Sequence, residues 1–151
     1  MKFLEEGSRT IKADEKYEHI YTKLNEKTGL KIQDIFFLCV VLGYKNQRTS
    51  SDFQVGKKEL RVTYLSETQR SILYAIGGNL EEINILQNPT DKDAIAKVIR
   101  EYQKYSNGGM EILIERVLKN NFNGNQLSDS YANYDVDLLK FVYSELSAIP
   151  F

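Results

Sequence analysis

Three carboxylates near the C-terminal end of the chain are the first residues whose type and spacing suggest chemistry. Asp129, Asp135 and Asp137 lie in a stretch that contains no cation, and carboxylate oxygens are the ligands that Mg²⁺ and Ca²⁺ prefer. Their spacing matches no known metal-binding loop, and acids at the start of a helix also interact favourably with its dipole. We therefore predict no metal site. A metal-dependent nuclease, or another small enzyme using residues 129–137, remains the alternative function.

Nucleophiles and general bases are scarce. His19 is the only histidine and Cys39 the only cysteine, which excludes an internal disulfide, a Cys-built zinc site and a histidine relay within one chain. Cys39 lies in an apolar run and is typical of a small core residue. Gly77-Gly78 and Gly108-Gly109 lack the spacing and the lysine of a phosphate-binding loop. We predict no catalytic residue, no cofactor and no enzymatic activity.

One short segment departs from the balanced charge of the chain. Residues 45–61 carry five cations and two acids, a local net charge of +3, together with Asn, Gln, Ser and Thr side chains that suit phosphate oxygens. The alternative is a solvated loop without a ligand. The candidates for nucleic-acid binding are Lys45, Arg48, Lys57, Lys58 and Arg61.

Overall composition sets limits on partners and location. The net charge is −1 over 151 residues, so there is no global attraction to nucleic acid or to an anionic membrane. The longest apolar run, residues 35–42, is far below the roughly 20 residues that a membrane-spanning helix needs. The first seven residues lack the apolar core of a signal peptide. We predict a cytoplasmic protein with no membrane partner.

Apolar residues at helical spacing predict the elements that position these groups. Gly29 is a natural C-terminal cap for the first helix, and Ser66 with Gln69 has the spacing of a capping box. Asn107-Gly108-Gly109 is typical of a turn. The predicted helices cover residues 14–27, 32–44, 66–76, 79–87, 89–105, 110–118 and 135–147.

The predicted fold is all-α, a compact bundle of about six to seven helices with a short strand or hairpin near 53–64. Residues 1–12 are predicted to form a flexible N-terminal arm, and residues 13–151 a single helical domain. The second helix is apolar on all sides after Asp34, so we expect it at the centre of the bundle. Side chains expected there are Ile35, Phe36, Cys39, Val40 and Leu42.

The last predicted helix and the loop before it offer candidates for a protein partner. Tyr131 and Tyr134 precede the helix, and tyrosine is enriched at interfaces. The alternative is that both tyrosines pin the loop to the bundle. The side chains of this helix predicted to face the core are Leu139, Val142, Tyr143 and Leu146.

Three segments resemble the bacterial DNA phosphorothioation-associated protein 4 family. Residues 36–46, Phe-Phe-Leu-Cys-Val-Val-Leu-Gly-Tyr-Lys-Asn, followed by Arg48 are similar to its "phi-LA-LGYKNG-R" element, with Gln47 where that element has Gly. Residues 70–86 and 99–113 are similar, in the same order, to two later stretches of the family.

The resemblance implies an accessory role near a phage-defence operon, with no catalytic residues to carry over. We therefore predict a non-catalytic accessory or adaptor protein of a bacterial DNA-modification or phage-defence system. It would contact DNA or a partner protein of such a complex, with homo-oligomerisation left open.

Overall fold

The computed structural model describes residues 1–50 and 52–147. Within them the chain is 59% helical, with five α-helices and a small antiparallel sheet of two strands. The prediction of an all-α bundle of six to seven helices is therefore wrong. The elements in chain order are β1 Thr10–Asp14, α1 Glu18–Thr28, α2 Ile32–Lys45, β2 Val55–Arg61, α3 Glu67–Gly78, α4 Lys92–Leu113 and α5 Tyr134–Ser147.

One predicted helix, residues 79–87, is a run of turns. Asn84 has a φ of 57°, a left-handed conformation that a right-handed helix cannot include. This turn buries Ile85, which is 1% exposed, and leaves Leu86 in solvent at 62% exposure. The helical spacing of the apolar residues in this segment is therefore not used.

Two predicted helices, 89–105 and 110–118, are joined because α4 continues through Asn107-Gly108-Gly109. The two glycines allow α4 to pack closely against α2 and the residues that follow it. A Cβ on Gly109 would collide with the carbonyl of Cys39 on α2, and one on Gly108 with the carbonyl of Arg48. Glycine is required where two backbones approach this closely. Beyond Leu113 the helix widens into a π-turn over Ile114–Leu118.

The sheet joins the N-terminal segment to the centre of the chain. β1 pairs antiparallel with β2, in the register Thr10↔Arg61, Ile11↔Leu60 and Lys12↔Glu59, with an irregularity before Asp14. β2 falls where a short strand is predicted. β1 lies largely in the segment predicted as a flexible arm, of which Phe3 and Leu4 are buried.

The core is built around α2. Its five predicted core residues, Ile35, Phe36, Cys39, Val40 and Leu42, are all buried, which confirms that part of the prediction. The packing of α2 on α4 is the most extensive contact between elements. These two helices fix the positions of the charged groups at the end of α2 and along α4.

Candidate interaction surface

The C-terminal end of α2 directs Arg48 towards α4. The Gln47 N–H donates to the Tyr44 carbonyl at 3.1 Å and the Arg48 N–H to the Gly43 carbonyl at 2.8 Å. This pair of bonds is a Schellman motif, which requires a left-handed residue just past the helix end. Gln47 occupies that position with a φ of 50°.

Arg48 is held by two acids about one helical turn apart, Glu111 on α4 and Glu115 on its π-turn. Its Nε lies 2.9 Å from Glu111 Oε2, and its terminal nitrogens lie 2.9 and 2.7 Å from the two oxygens of Glu115. The hydrogen bonds with Glu115 raise the pKa of the Arg48 guanidinium and lower the pKa of the Glu115 carboxyl. Such a bidentate pair already satisfies the donors that a phosphate would use.

Lys45, the other predicted nucleic-acid contact at this end of α2, is also paired. Its Nζ lies 3.0 Å from Glu145 Oε2 on α5, and Arg116 contacts the same carboxylate at 3.3 Å. This cluster ties α2, the π-turn and α5 together. A phosphate at Lys45 would have to compete with Glu145.

The three remaining cations lie on β2. Lys57 and Arg61 are exposed on one face of the strand with Glu59 between them. Lys58 is half-buried and lines a groove of about 710 Å³ whose other residues include Glu15, Glu18 and Glu26. None of these three cations forms an ion pair with another residue in 1–50 or 52–147. The predicted basic cluster is thus divided between a neutralised helix end and a strand.

The acids of the 129–137 stretch are engaged separately. The Asp129 carboxylate pairs with Lys23 on α1, which lowers its pKa, and Asp137 accepts a hydrogen bond from the Tyr131 hydroxyl at 2.5 Å. Asp135 accepts one from the backbone N–H of Val136. Across the described part of the chain, no cluster of three or more His, Cys, Asp or Glu side chains could hold a metal ion.

The two candidate tyrosines pack on each other beneath this loop. Their rings meet edge to face with centroids 4.9 Å apart. Tyr134 is 1% exposed, and its hydroxyl donates to the Ser128 carbonyl at 2.7 Å. Tyr134 therefore has no surface to offer a partner, and the arrangement fits the alternative in which these tyrosines pin the loop.

His19, near the start of α1, lies between two open grooves. It lines the groove that contains Lys58 and a second one of about 500 Å³ beside Glu111, Glu115 and Phe122. Its Nε2 is shielded and has no hydrogen-bond partner among the described residues, and burial lowers its pKa. The second groove contains no serine, threonine or cysteine that His19 could activate as a nucleophile.

A buried polar contact that the sequence does not predict holds the sheet to α4. The Asp14 carboxylate accepts hydrogen bonds from Asn107 Nδ2 at 2.6 Å, the Gln54 N–H at 3.2 Å and the Lys16 N–H at 3.1 Å. Asp14 and Asn107 are each 1% exposed. The sequence predicts a turn at Asn107, and no local signal distinguishes it from a turn residue.

The face of α5 predicted to be inward is mostly outward. Tyr134 and Leu138 are the residues that α5 buries, with Phe141 and Val142 half-buried. The prediction that Leu139, Tyr143 and Leu146 face the core is wrong, because α5 is apolar on two faces and only one of them meets the bundle. The exposed face, called the α5 stripe below, consists of Val136 at 43%, Leu139 at 71%, Tyr143 at 71% and Leu146 at 59% exposure.

The α5 stripe borders a shallow apolar groove. The groove has a volume of about 350 Å³, and its apolar lining is Leu30, Leu38, Leu138, Leu139 and Val142. Leu30, just before α2, is itself 38% exposed. The apolar surface therefore extends from α5 across to the junction of α1 and α2.

Comparisons with known proteins leave the family open. No family model matches the chain, no curated protein matches its sequence and no solved structure matches its fold. The resemblance to the DNA phosphorothioation-associated protein 4 family therefore stays a prediction. No helix within residues 1–50 and 52–147 combines the length and the apolar character needed to cross a membrane.

Proposed function

We propose that this protein is a non-catalytic accessory protein that works by binding a protein partner through the α5 stripe. The observation that carries the proposal is the exposure of four apolar side chains along one face of one helix. Single exposed apolar residues are normal on protein surfaces. A contiguous apolar patch marks an interaction site.

The charged candidates support DNA contact less well than protein contact. Lys45 and Arg48 are occupied by Glu145, Glu111 and Glu115, which leaves only the cations of β2 for phosphates. Affinity for duplex DNA rests on many phosphate contacts made together. The context we propose is a bacterial DNA-modification or phage-defence complex, and it rests on the resemblance of residues 36–48 and the two later segments.

A complementation experiment tests the proposal in the host. The gene is deleted and restored as wild type, as Leu139→Asp or as Leu86→Asp, and phage resistance and DNA modification are measured. Leu86 is the matched control because it is a leucine of similar exposure outside α5. We expect Leu139→Asp to fail and Leu86→Asp to restore function, since a charge in an apolar interface would remain desolvated and unpaired. Full restoration by Leu139→Asp would place the working surface elsewhere.

The alternative nuclease function has a direct test. The purified protein is incubated with plasmid DNA and Mg²⁺ or Mn²⁺, and we expect no cleavage because the acids at 129–137 are engaged separately. Metal-dependent cleavage that disappears on Asp135→Asn or Asp137→Asn would replace the accessory function with a nuclease.

A further inference from the structure

We propose that the partner of the α5 stripe is a second copy of this chain, whose α5 lies parallel to the first in a symmetric helix pair. This inference rests on the proposed function, because it names the occupant of the same surface. Its supports are the spacing of the exposed residues and the charges that flank them.

The spacing of the stripe is that of a coiled-coil seam. Val136, Leu139, Tyr143 and Leu146 follow one another at intervals of three, four and three residues, which are the a and d positions of two heptads. A helix that only packs on a globular core shows a wider apolar face of a, d and e or g positions. On α5 the bundle is met by the other face, where Tyr134 and Leu138 are buried. The narrow exposed seam therefore has the width expected for packing against a single partner helix.

The flanking charges select both the partner and its direction. Asp135 takes a g position and Lys140 the following e position, and both side chains are exposed. In a parallel pair each g residue faces the e residue five positions later on the partner helix. A second copy in parallel therefore brings Asp135 opposite Lys140 of its partner twice, once on each side of the two-fold axis. An antiparallel pair would not bring these opposite charges together.

The symmetry of the pair closes the assembly at two chains. A two-fold interface uses the same patch on both copies, so the α5 stripe is fully used within the pair and cannot recruit a third chain. Two heptads are a short seam, so we expect a reversible dimer whose population depends on concentration.

Measuring molar mass in solution tests the inference. Sedimentation equilibrium over about a hundredfold range of concentration should show the 17.5 kDa chain passing from monomer to dimer. Leu139→Glu should raise the dimer dissociation constant about 30-fold or more, the effect of losing a central interface residue. Leu86→Glu is the matched control and should dimerise like the wild type. Circular dichroism checks that each variant folds.

Exchanging the flanking charges tests the direction of the pair without touching the apolar seam. Asp135→Lys alone and Lys140→Asp alone should each weaken the dimer about threefold, in the range of exposed ion pairs. The double variant Asp135→Lys/Lys140→Asp should restore it. Oxidation of Leu139→Cys should also link the two chains, because a parallel pair places this d position opposite itself and Cys39 is buried.

The results separate this inference from the proposed function. A wild-type protein that stays monomeric across the concentration range overturns the second copy as partner, and the proposed function stands if Leu139→Asp still fails in the host. A dimer that Leu139→Glu leaves intact, or single charge variants that the double variant does not rescue, overturns the parallel α5 pair. A dimer disrupted by Leu139→Glu alongside full complementation by Leu139→Asp refutes the proposed function alone.

Discussion

At the scale of single residues, Gln47 holds the end of α2 in a conformation that its own Cβ opposes. Its φ of 50° lies in the left-handed region, which costs an L-residue about 1–2 kcal/mol. This cost is offset by the hydrogen bonds of the Schellman motif, which direct Arg48 towards Glu111 and Glu115. The family element that residues 36–48 resemble has glycine at this position, which would adopt the same conformation without steric cost.

Gln47→Gly should therefore stabilise the protein. The relief of steric cost exceeds the extra entropy that glycine has in the unfolded chain, so we expect a gain of about 0.5–1 kcal/mol in the free energy of unfolding. Urea denaturation measures it. Gln33→Gly, in the first turn of α2, is the matched control and should lose up to about 1 kcal/mol. A loss at Gln47 as well would mean that the glutamine side chain contributes more than its backbone costs.

At the scale of elements, the crossing of α2 and α4 depends on glycine at three positions. Gly109 on α4 approaches the Cys39 carbonyl within α2, and Gly43 on α2 approaches the Tyr105 carbonyl within α4, while Gly108 approaches the Arg48 carbonyl just past the end of α2. A backbone carbonyl in a helix cannot move aside as a flexible side chain can. Helix α2 can therefore be central only because both helices lack side chains where they cross.

Gly109→Ala should separate the two helices. The added methyl group collides with the Cys39 carbonyl, and we expect a loss of about 3 kcal/mol in the free energy of unfolding, at the upper end for overpacked cores. Thermal or urea unfolding measures it. Gly7→Ala, whose added Cβ would meet nothing within 4 Å, should change stability by less than about 0.5 kcal/mol. Equal stability of the two variants would rule out a glycine-dependent crossing.

At the scale of the whole molecule, ionisable groups within the core couple stability to alkaline pH. Burial raises the pKa of the Cys39 thiol from 9.0 to about 12, and burial likewise raises the pKa values of Tyr21 and Tyr102. A raised pKa in the folded state means that the unfolded chain loses its protons first. The stabilisation is fully present below pH 9 and is lost as the pH rises towards 12.

Stability should therefore fall between pH 9 and pH 11. The Cys39 thiol alone should account for about 2–3 kcal/mol of the loss at pH 11. Comparing urea denaturation of the wild type and Cys39→Ala at both pH values isolates this part together with its coupling to Tyr21, whose side chain contacts Cys39. The variant should show a smaller fall with pH, whatever its stability at pH 7. Parallel falls would show that the thiol ionises normally in the folded protein.

Features that depend on neighbouring residues, such as helix caps, could be predicted from the sequence. Gly29 caps α1 with a φ of 76°, Ser66 and Gln69 form the predicted capping box of α3, and the predicted core residues of α2 are buried. The two caps depend on groups within a few positions, and α2 is apolar on all sides, so its burial required no choice between faces. The charges at residues 45–61 were likewise visible from the sequence.

Which surfaces meet could not be predicted from the sequence. The partner of β1 lies more than 40 positions along the chain, and a short strand without a partner resembles an unstructured segment. Gly108-Gly109 has the composition of a turn, and only the closeness of α2 shows it to be a helix crossing. α5 carries two apolar faces of similar character, so its sequence could not say which one the bundle covers. The physical reason is common to all three: close approach, strand pairing and burial are properties of two segments at once, and a local pattern describes only one.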